Sequence, residues 1–218
     1  GQLCVFFQPK YDMSTRRLVG AEGLARWRHS EFGLLTPAAF LDVALMSESA
    51  VPFAISTIRH VAGMIRQLDE LGAPMPIAAN IAMRALRDPG FAPAVLRVLD
   101  EVGVSPELLV LELTESDPLW PNTHTAAGLQ SLIEAGVQLS IDDFGTGHSS
   151  LERLRVLRIH ELKIDRSFVT GMVSDPLQRQ IVRTVIDLAK GLDCQVVAEG
   201  VETEEQVQLL IEHGCAVA

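Results

Sequence analysis

Polar and apolar positions along the chain switch repeatedly between a period of two and a period of 3.6. Leu3 to Phe7 is a short apolar run that Pro9 ends, and it predicts a strand. Asp12 to Arg17 is polar and turn-like. Leu18 to Arg28 alternates, with Glu22, Leu24 and Arg26 on one face and Gly23, Ala25 and Trp27 on the other. Thr36-Pro37 has the chemistry of a helix start and predicts a helix to about Ser47. Ile58, Val61, Ile65 and Leu68 recur at helical spacing, and Gly72 then Pro74 close that helix.

The alternation continues to the end of the sequence. Strands are predicted over Pro76 to Ala82, Leu108 to Glu112, Val137 to Ile141, Glu161 to Asp165 and Gln195 to Glu199. Helices are predicted over Phe91 to Val102, Thr123 to Ala135, Leu151 to Leu157 after a Ser149-Ser150 cap, and Gln178 to Leu192. In the last of these Ile181, Val185, Leu188 and Leu192 are expected to face inward. Thr203 caps a final helix that carries Glu204 and Glu205 in its first turn and ends near Gly214. Cys215 to Ala218 reads as the start of one more strand, cut short.

Strand–helix alternation over most of the chain, without linker or repeat, predicts an α/β fold with a parallel sheet. Seven strands and a truncated eighth fit a TIM-like barrel. An open doubly wound sheet is the alternative, and no Gly-x-Gly-x-x-Gly loop follows any strand to support it.

The segment Val137 to Gly147 stands out within that frame. The apolar alternation Val137, Leu139, Ile141 runs into Asp142-Asp143, and Gly145 and Gly147 then bend the backbone. Taken alone, the segment favours a solvated turn. The other strand ends tip the balance toward a site. Asn80, Glu112, Asp142, Asp143, Lys163 and Glu199 each fall at or near the C-terminal end of a predicted strand, and Glu22 lies inside another. In a parallel barrel those ends share one rim, where active sites are built.

Carboxylate and amide oxygens without His or Cys suit hard cations, Mg²⁺, Mn²⁺ or Ca²⁺. The acids are too many for one Mg²⁺, whereas two cations about 3.5–4 Å apart would use them and would assist a phosphoryl displacement. In that reading Lys163 neutralises developing charge or orients water, and Arg26 holds a phosphate.

Composition adds exclusions. The chain of 218 residues carries a formal net charge of −10, which argues against non-specific binding to DNA, RNA or anionic lipid. Cys4, Cys194 and Cys215 have no Cys-x-x-Cys spacing and read as free thiols in a reducing compartment. No apolar run is long enough to span a membrane and no signal peptide opens the sequence. The expectation is a soluble, cytoplasmic domain without direct membrane contact, whose longer parent could still be anchored.

The residues together resemble the EAL domain, the bacterial phosphodiesterase of cyclic di-GMP. The matching pieces occur in the family's order: Gln8-Pro9, Glu22-Gly23-Leu24-Ala25-Arg26-Trp27, Asn80, Glu112-Leu113-Thr114-Glu115, Asp142-Asp143-Phe144-Gly145-Thr146-Gly147, Lys163-Ile164-Asp165 and Val197-Ala198-Glu199-Gly200-Val201-Glu202. The resemblance implies a single domain over residues 1–218, trimmed at both ends. Its fold would be a modified TIM-like (β/α)8 barrel with an antiparallel first strand and a truncated last one.

The resemblance also implies an activity, the opening of cyclic di-GMP to linear pGpG with Mg²⁺ or Mn²⁺, Ca²⁺ being inhibitory. Glu22, Asn80, Glu112 and Asp142 would be ligands of one metal. Asp142, as the bridge, would serve the second with Asp143 and Glu199. Lys163 would contact the water and the second metal, so that Glu22, Lys163 and Glu199 carry the catalytic step. Gln8, Leu24 and Arg26 would contact the nucleotide. Glu115 would brace the loop from Asp143 to Ser149, with Asp165 and Glu202 in supporting roles. A homodimer and fusion to sensory or GGDEF-type domains are the expected partnerships.

The sequence departs from the family's pattern at Gly23 for Ala, Leu45 for Glu, His148 for Tyr, and in the missing final Gly-Gln-Gly-Tyr-like strand. An inert receptor or scaffold for cyclic di-GMP is the competing reading, although inert members usually lack ligands that are all present here. The Asp143-Phe144-Gly145 tripeptide resembles a kinase motif, but no Gly-rich loop or His-Arg-Asp segment accompanies it.

Overall fold

The structure is a computed structural model that describes residues 2–45, 49–115, 123–146 and 158–218. The expected helix over Leu151 to Leu157, its Ser149-Ser150 cap, and His148 lie outside the described residues. Two compact units share the chain: Gly1–Pro9, Gly20–Glu112 and Asp117–Gln138 in the first, and Lys10–Val19, Leu113–Ser116 and Leu139–Ala218 in the second.

The first unit is built on β1 (Leu3–Tyr11, which runs on into the second unit), β2 (Leu18–His29), β3 (Gly33–Leu35), β4 (Ile77–Asn80) and β5 (Leu109–Thr114). Its helices are α1 (Pro37–Ala44), α2 (Ala50–Glu70), α3 (Phe91–Val102) and α4 (Thr123–Glu134). Arg28 N–H donates to Gln2 O and the Cys4 thiol to Arg26 O, so residue numbers run in opposite directions and β1 is antiparallel to β2. β2 with β4 and β4 with β5 are parallel. α2 packs on β4 and α3, and its Ile58, Val61 and Ile65 are fully buried. Each such side chain contributes about 1.5–3 kcal/mol of burial. β5 is buried from Leu109 to Leu113, as a parallel strand covered on both faces should be.

The second unit carries β6 (Gln138–Phe144), β7 (Glu161–Ile164) and β8 (Gln195–Ala198), all parallel, with α5 (Arg166–Gly171), α6 (Pro176–Gly191) and α7 (Glu204–His213). Asp165 caps α5 by accepting from Ser167 N–H at 3.0 Å, and Thr203 with Gln206 forms a capping box on α7. Val217 bridges to Val197 of β8, so Cys215 to Ala218 does begin a further extended pairing.

Four expectations about the elements need correction. β1 continues past Pro9 to Tyr11, because extended backbone accommodates proline's fixed φ, and Tyr11 then pairs with Ala218. β3 was not expected; it is three residues long, too short for periodicity to reveal. α5, six residues long, was missed for the same reason. On α6 the buried face is Val182, Val185, Ile186 and Ala189, with Ile181 and Leu188 only half-buried. The apolar stripe is wider than the four positions expected, and its centre is offset from them.

Candidate metal-binding site

Each unit gathers a set of oxygen-bearing side chains. In the first, the register places Glu22 opposite Ala78 and Asn80 opposite Glu112, so all these side chains belong to one face of the β2–β4–β5 sheet. Asn80 Nδ2 donates to Glu22 Oε1 at 2.7 Å. Glu112 is buried, with 1% of its surface exposed. A carboxylate so far from water is stable only with partners of opposite charge or strong donors.

The second set depends on an irregularity of β6. Ser140 and Ile141 pair with Glu161 and Leu162, but the next partnered residue is Phe144 with Ile164, so both Asp142 and Asp143 stand against Lys163. Asp143 adopts φ 54°, a left-handed conformation that Asp tolerates better than most residues. Consecutive strand residues normally face opposite ways; this bulge cancels the alternation. Carboxylate oxygens of Asp142, Asp143 and Glu199 consequently lie within 4.8 Å of one another.

Lys163 sits beneath them, almost wholly buried, with Nζ 3.1 Å from Asp142 Oδ1 and 2.6 Å from Glu199 Oε1. Lys163 thus places one ammonium among three neighbouring carboxylates. The acidic segment is held by Glu115, whose N–H donates to Asp142 O at 3.1 Å and whose Oε2 accepts from Gly145 N–H at 2.5 Å. Asp143 N–H donates to Asp142 Oδ1 at 2.9 Å, and Thr146 Oγ1 donates to Asp143 O at 2.8 Å.

The remaining expected residues have these places. Gln8 lies on β1 and Leu24 and Arg26 on β2. Glu202 pairs with Arg166 and gives its N–H to Gln206 Oε1 at 2.7 Å. Asp165 is the cap of α5 described above. Leu45 gives its carbonyl to Arg84 Nη1 at 2.8 Å. Gly23 meets a tight neighbourhood: a Cβ there would stand 2.8 Å from Val61 Cγ2, 3.0 Å from Ala78 O and 3.2 Å from Val5 Cγ1. The departure from Ala therefore goes with close packing of β2 on α2.

Sequence reasoning missed a buried polar cluster in the second unit. Lys10 Nζ and Ser140 Oγ both donate to Glu161 Oε1 at 2.8 Å. It also missed the exposed Phe6 on β1, with the Arg26 guanidinium 5.6 Å from the centre of its ring.

Residues 1–218 match the EAL domain family. The chain belongs to that family. The EAL chain is 37% identical over 214 residues to the probable cyclic di-GMP phosphodiesterase PdeG of Escherichia coli, covering 96% of this chain and 42% of that protein. Across four such curated relatives it spans from 26% to 42% of their length. Its fold matches the PaMucR phosphodiesterase in complex with c-di-GMP at TM-score 0.90 and 35% identity, over 99% of this chain and 88% of that one. It also matches the manganese and cy-diGMP complex of Klebsiella pneumoniae BlrP1 at TM-score 0.86 and 26% identity, over all of this chain (100%) and 54% of that one. The EAL fold class is α/β and TIM-like, and no helix among the described residues is long and apolar enough to cross a membrane.

Proposed function

We propose that the EAL chain hydrolyses cyclic di-GMP to linear pGpG with two divalent cations. The observation that carries this reading is the cluster of Asp142, Asp143 and Glu199 against Lys163, in a chain of this family. The donor set fits Mg²⁺ or Mn²⁺: oxygen atoms only, close enough to share one ion. A pair of such ions, when bound, acidifies water and stabilises the charge of a phosphodiester undergoing in-line displacement.

Glu22, Asn80 and Glu112 would hold one ion, and Asp142, Asp143 and Glu199 the other. Lys163 keeps two of those carboxylates fixed and would donate to the attacking water. Glu115, through Asp142 O and Gly145 N–H, fixes the backbone from which the two aspartates project. Gln8, Leu24 and Arg26 contact the nucleotide, and Arg26 offers a guanidinium to a phosphate. Ca²⁺ would compete for the same oxygens and inhibit.

In a longer parent the same reading includes fusion to sensory or GGDEF-type domains, a homodimer and a cytoplasmic location. The test is incubation of the chain with cyclic di-GMP and Mg²⁺, Mn²⁺, Ca²⁺ or chelator, followed by chromatography. Linear pGpG with Mg²⁺ or Mn²⁺ alone supports the reading; intact cyclic di-GMP under all four conditions overturns it.

A further inference from the structure

We propose that the Phe6 ring is a stacking platform for one guanine base of the cyclic dinucleotide, a role that rests on the cyclic-di-GMP reading given above. The backbone bond from Arg28 N–H to Gln2 O sets the register of β1 on β2, and the Cys4 thiol reaching Arg26 O agrees with it. Counting on by two places Phe6 opposite Leu24 and Gln8 opposite Glu22. Glu22 in turn shares a face with Asn80 and Glu112. Phe6 therefore belongs to the strand face that carries the first unit's oxygen ligands.

Phe6 is 44% exposed although it is a large apolar side chain in the middle of a strand. Arg26, its diagonal neighbour, holds its guanidinium 5.6 Å from the ring centre and donates to Ala25 O at 2.8 Å. The cation lies over one face of the ring, and the rest of the ring keeps an aromatic surface in contact with solvent. An aromatic surface beside a guanidinium fits a ligand that joins a planar base to a phosphate. A cyclic dinucleotide has both, a few bonds apart. The ring takes the base, and Arg26 takes the adjoining phosphate while limiting the ring's motion.

Stacking of this kind acts equally on bound substrate and transition state, so its loss raises KM and spares kcat. Phe6→Ala is expected to raise KM for cyclic di-GMP about tenfold or more, with kcat within about twofold of the parent. Phe6→Tyr and Phe6→Trp keep KM close to the parent value. In Phe6→Trp the new indole is quenched when cyclic di-GMP binds, beyond any change from the native Trp27 and Trp120 in the parent chain. An unchanged KM in Phe6→Ala, or an unquenched indole in Phe6→Trp, overturns the platform while leaving the phosphodiesterase reading intact. Failure of the parent chain to bind or cut cyclic di-GMP overturns both. If Phe6→Ala does not fold, the Phe6→Trp fluorescence decides alone.

Discussion

Asp142 and Asp143 are consecutive in β6, yet both bring a carboxylate oxygen into one group with Glu199, within 4.8 Å. The bulge between Ile141 and Phe144 and the left-handed φ of Asp143 make this possible. The arrangement gathers carboxylates at the expense of strand regularity, as the proposed cation site requires.

Asp143→Asn keeps a residue that tolerates left-handed backbone and removes one charge. The chain should fold with little change in melting temperature. Mn²⁺ affinity measured by calorimetry should fall, and kcat/KM for cyclic di-GMP should drop about a hundredfold or more, a loss of about 2.7 kcal/mol in transition-state stabilisation. Undiminished Mn²⁺ binding would remove Asp143 from the ligand set.

Lys163→Met removes the ammonium that lies 3.1 Å from Asp142 and 2.6 Å from Glu199. The two acids then repel one another in a poorly hydrated place, and about 3 kcal/mol of stability should be lost. Added Mg²⁺ or Mn²⁺ should recover part of it, because a cation again lies among the carboxylates. Denaturant melts with and without metal check this; an equal loss in both would mean that no ion binds near Lys163.

Gly23→Ala places a methyl group 2.8 Å from Val61 Cγ2. Overpacking of this sort costs about 1–3 kcal/mol. Val61→Ala opens the space, so the double variant should be more stable than the sum of the two single losses, by denaturant unfolding. Strict additivity would show that β2 and α2 adjust freely there.

His160 accepts Leu139 N–H on Nδ1 at 3.1 Å, and burial, then the Arg158 charge, hold its pKa below the ordinary 6.5. The neutral ring is the one that fits. As pH falls below about 6.5 the unfolded chain takes up this proton first, so the stability present at higher pH is lost toward the lower folded pKa. His160→Phe should flatten the stability profile between about pH 7 and 5, at the cost of about 1 kcal/mol at pH 7 from the lost hydrogen bond. A profile parallel to the parent's would contradict this.

Much of the fold was legible because its strands and helices keep their periods over long runs. α3 was expected over the residues where it is found, and Thr203 and Gly214 marked both ends of α7. The residues proposed as ligands stood out by type and by their places at strand ends. How Asp142 and Asp143 come to face the same way was not, since period-two reasoning sends neighbours to opposite faces and nothing in Ile141-Asp142-Asp143-Phe144 announces a bulge. The Lys10–Glu161 pair was hidden for a different reason: its members are 151 positions apart. The use of Phe6 depends on the register between β1 and β2, which hydrogen bonds fix and a single sequence does not.

Diffraction from crystals soaked in Mn²⁺ and cyclic di-GMP, collected at the manganese absorption edge, measures the central claim directly. The account predicts two anomalous peaks, one bordered by Asp142, Asp143 and Glu199 and one by Glu22, Asn80 and Glu112. Full nucleotide occupancy with no peak at either set would contradict it.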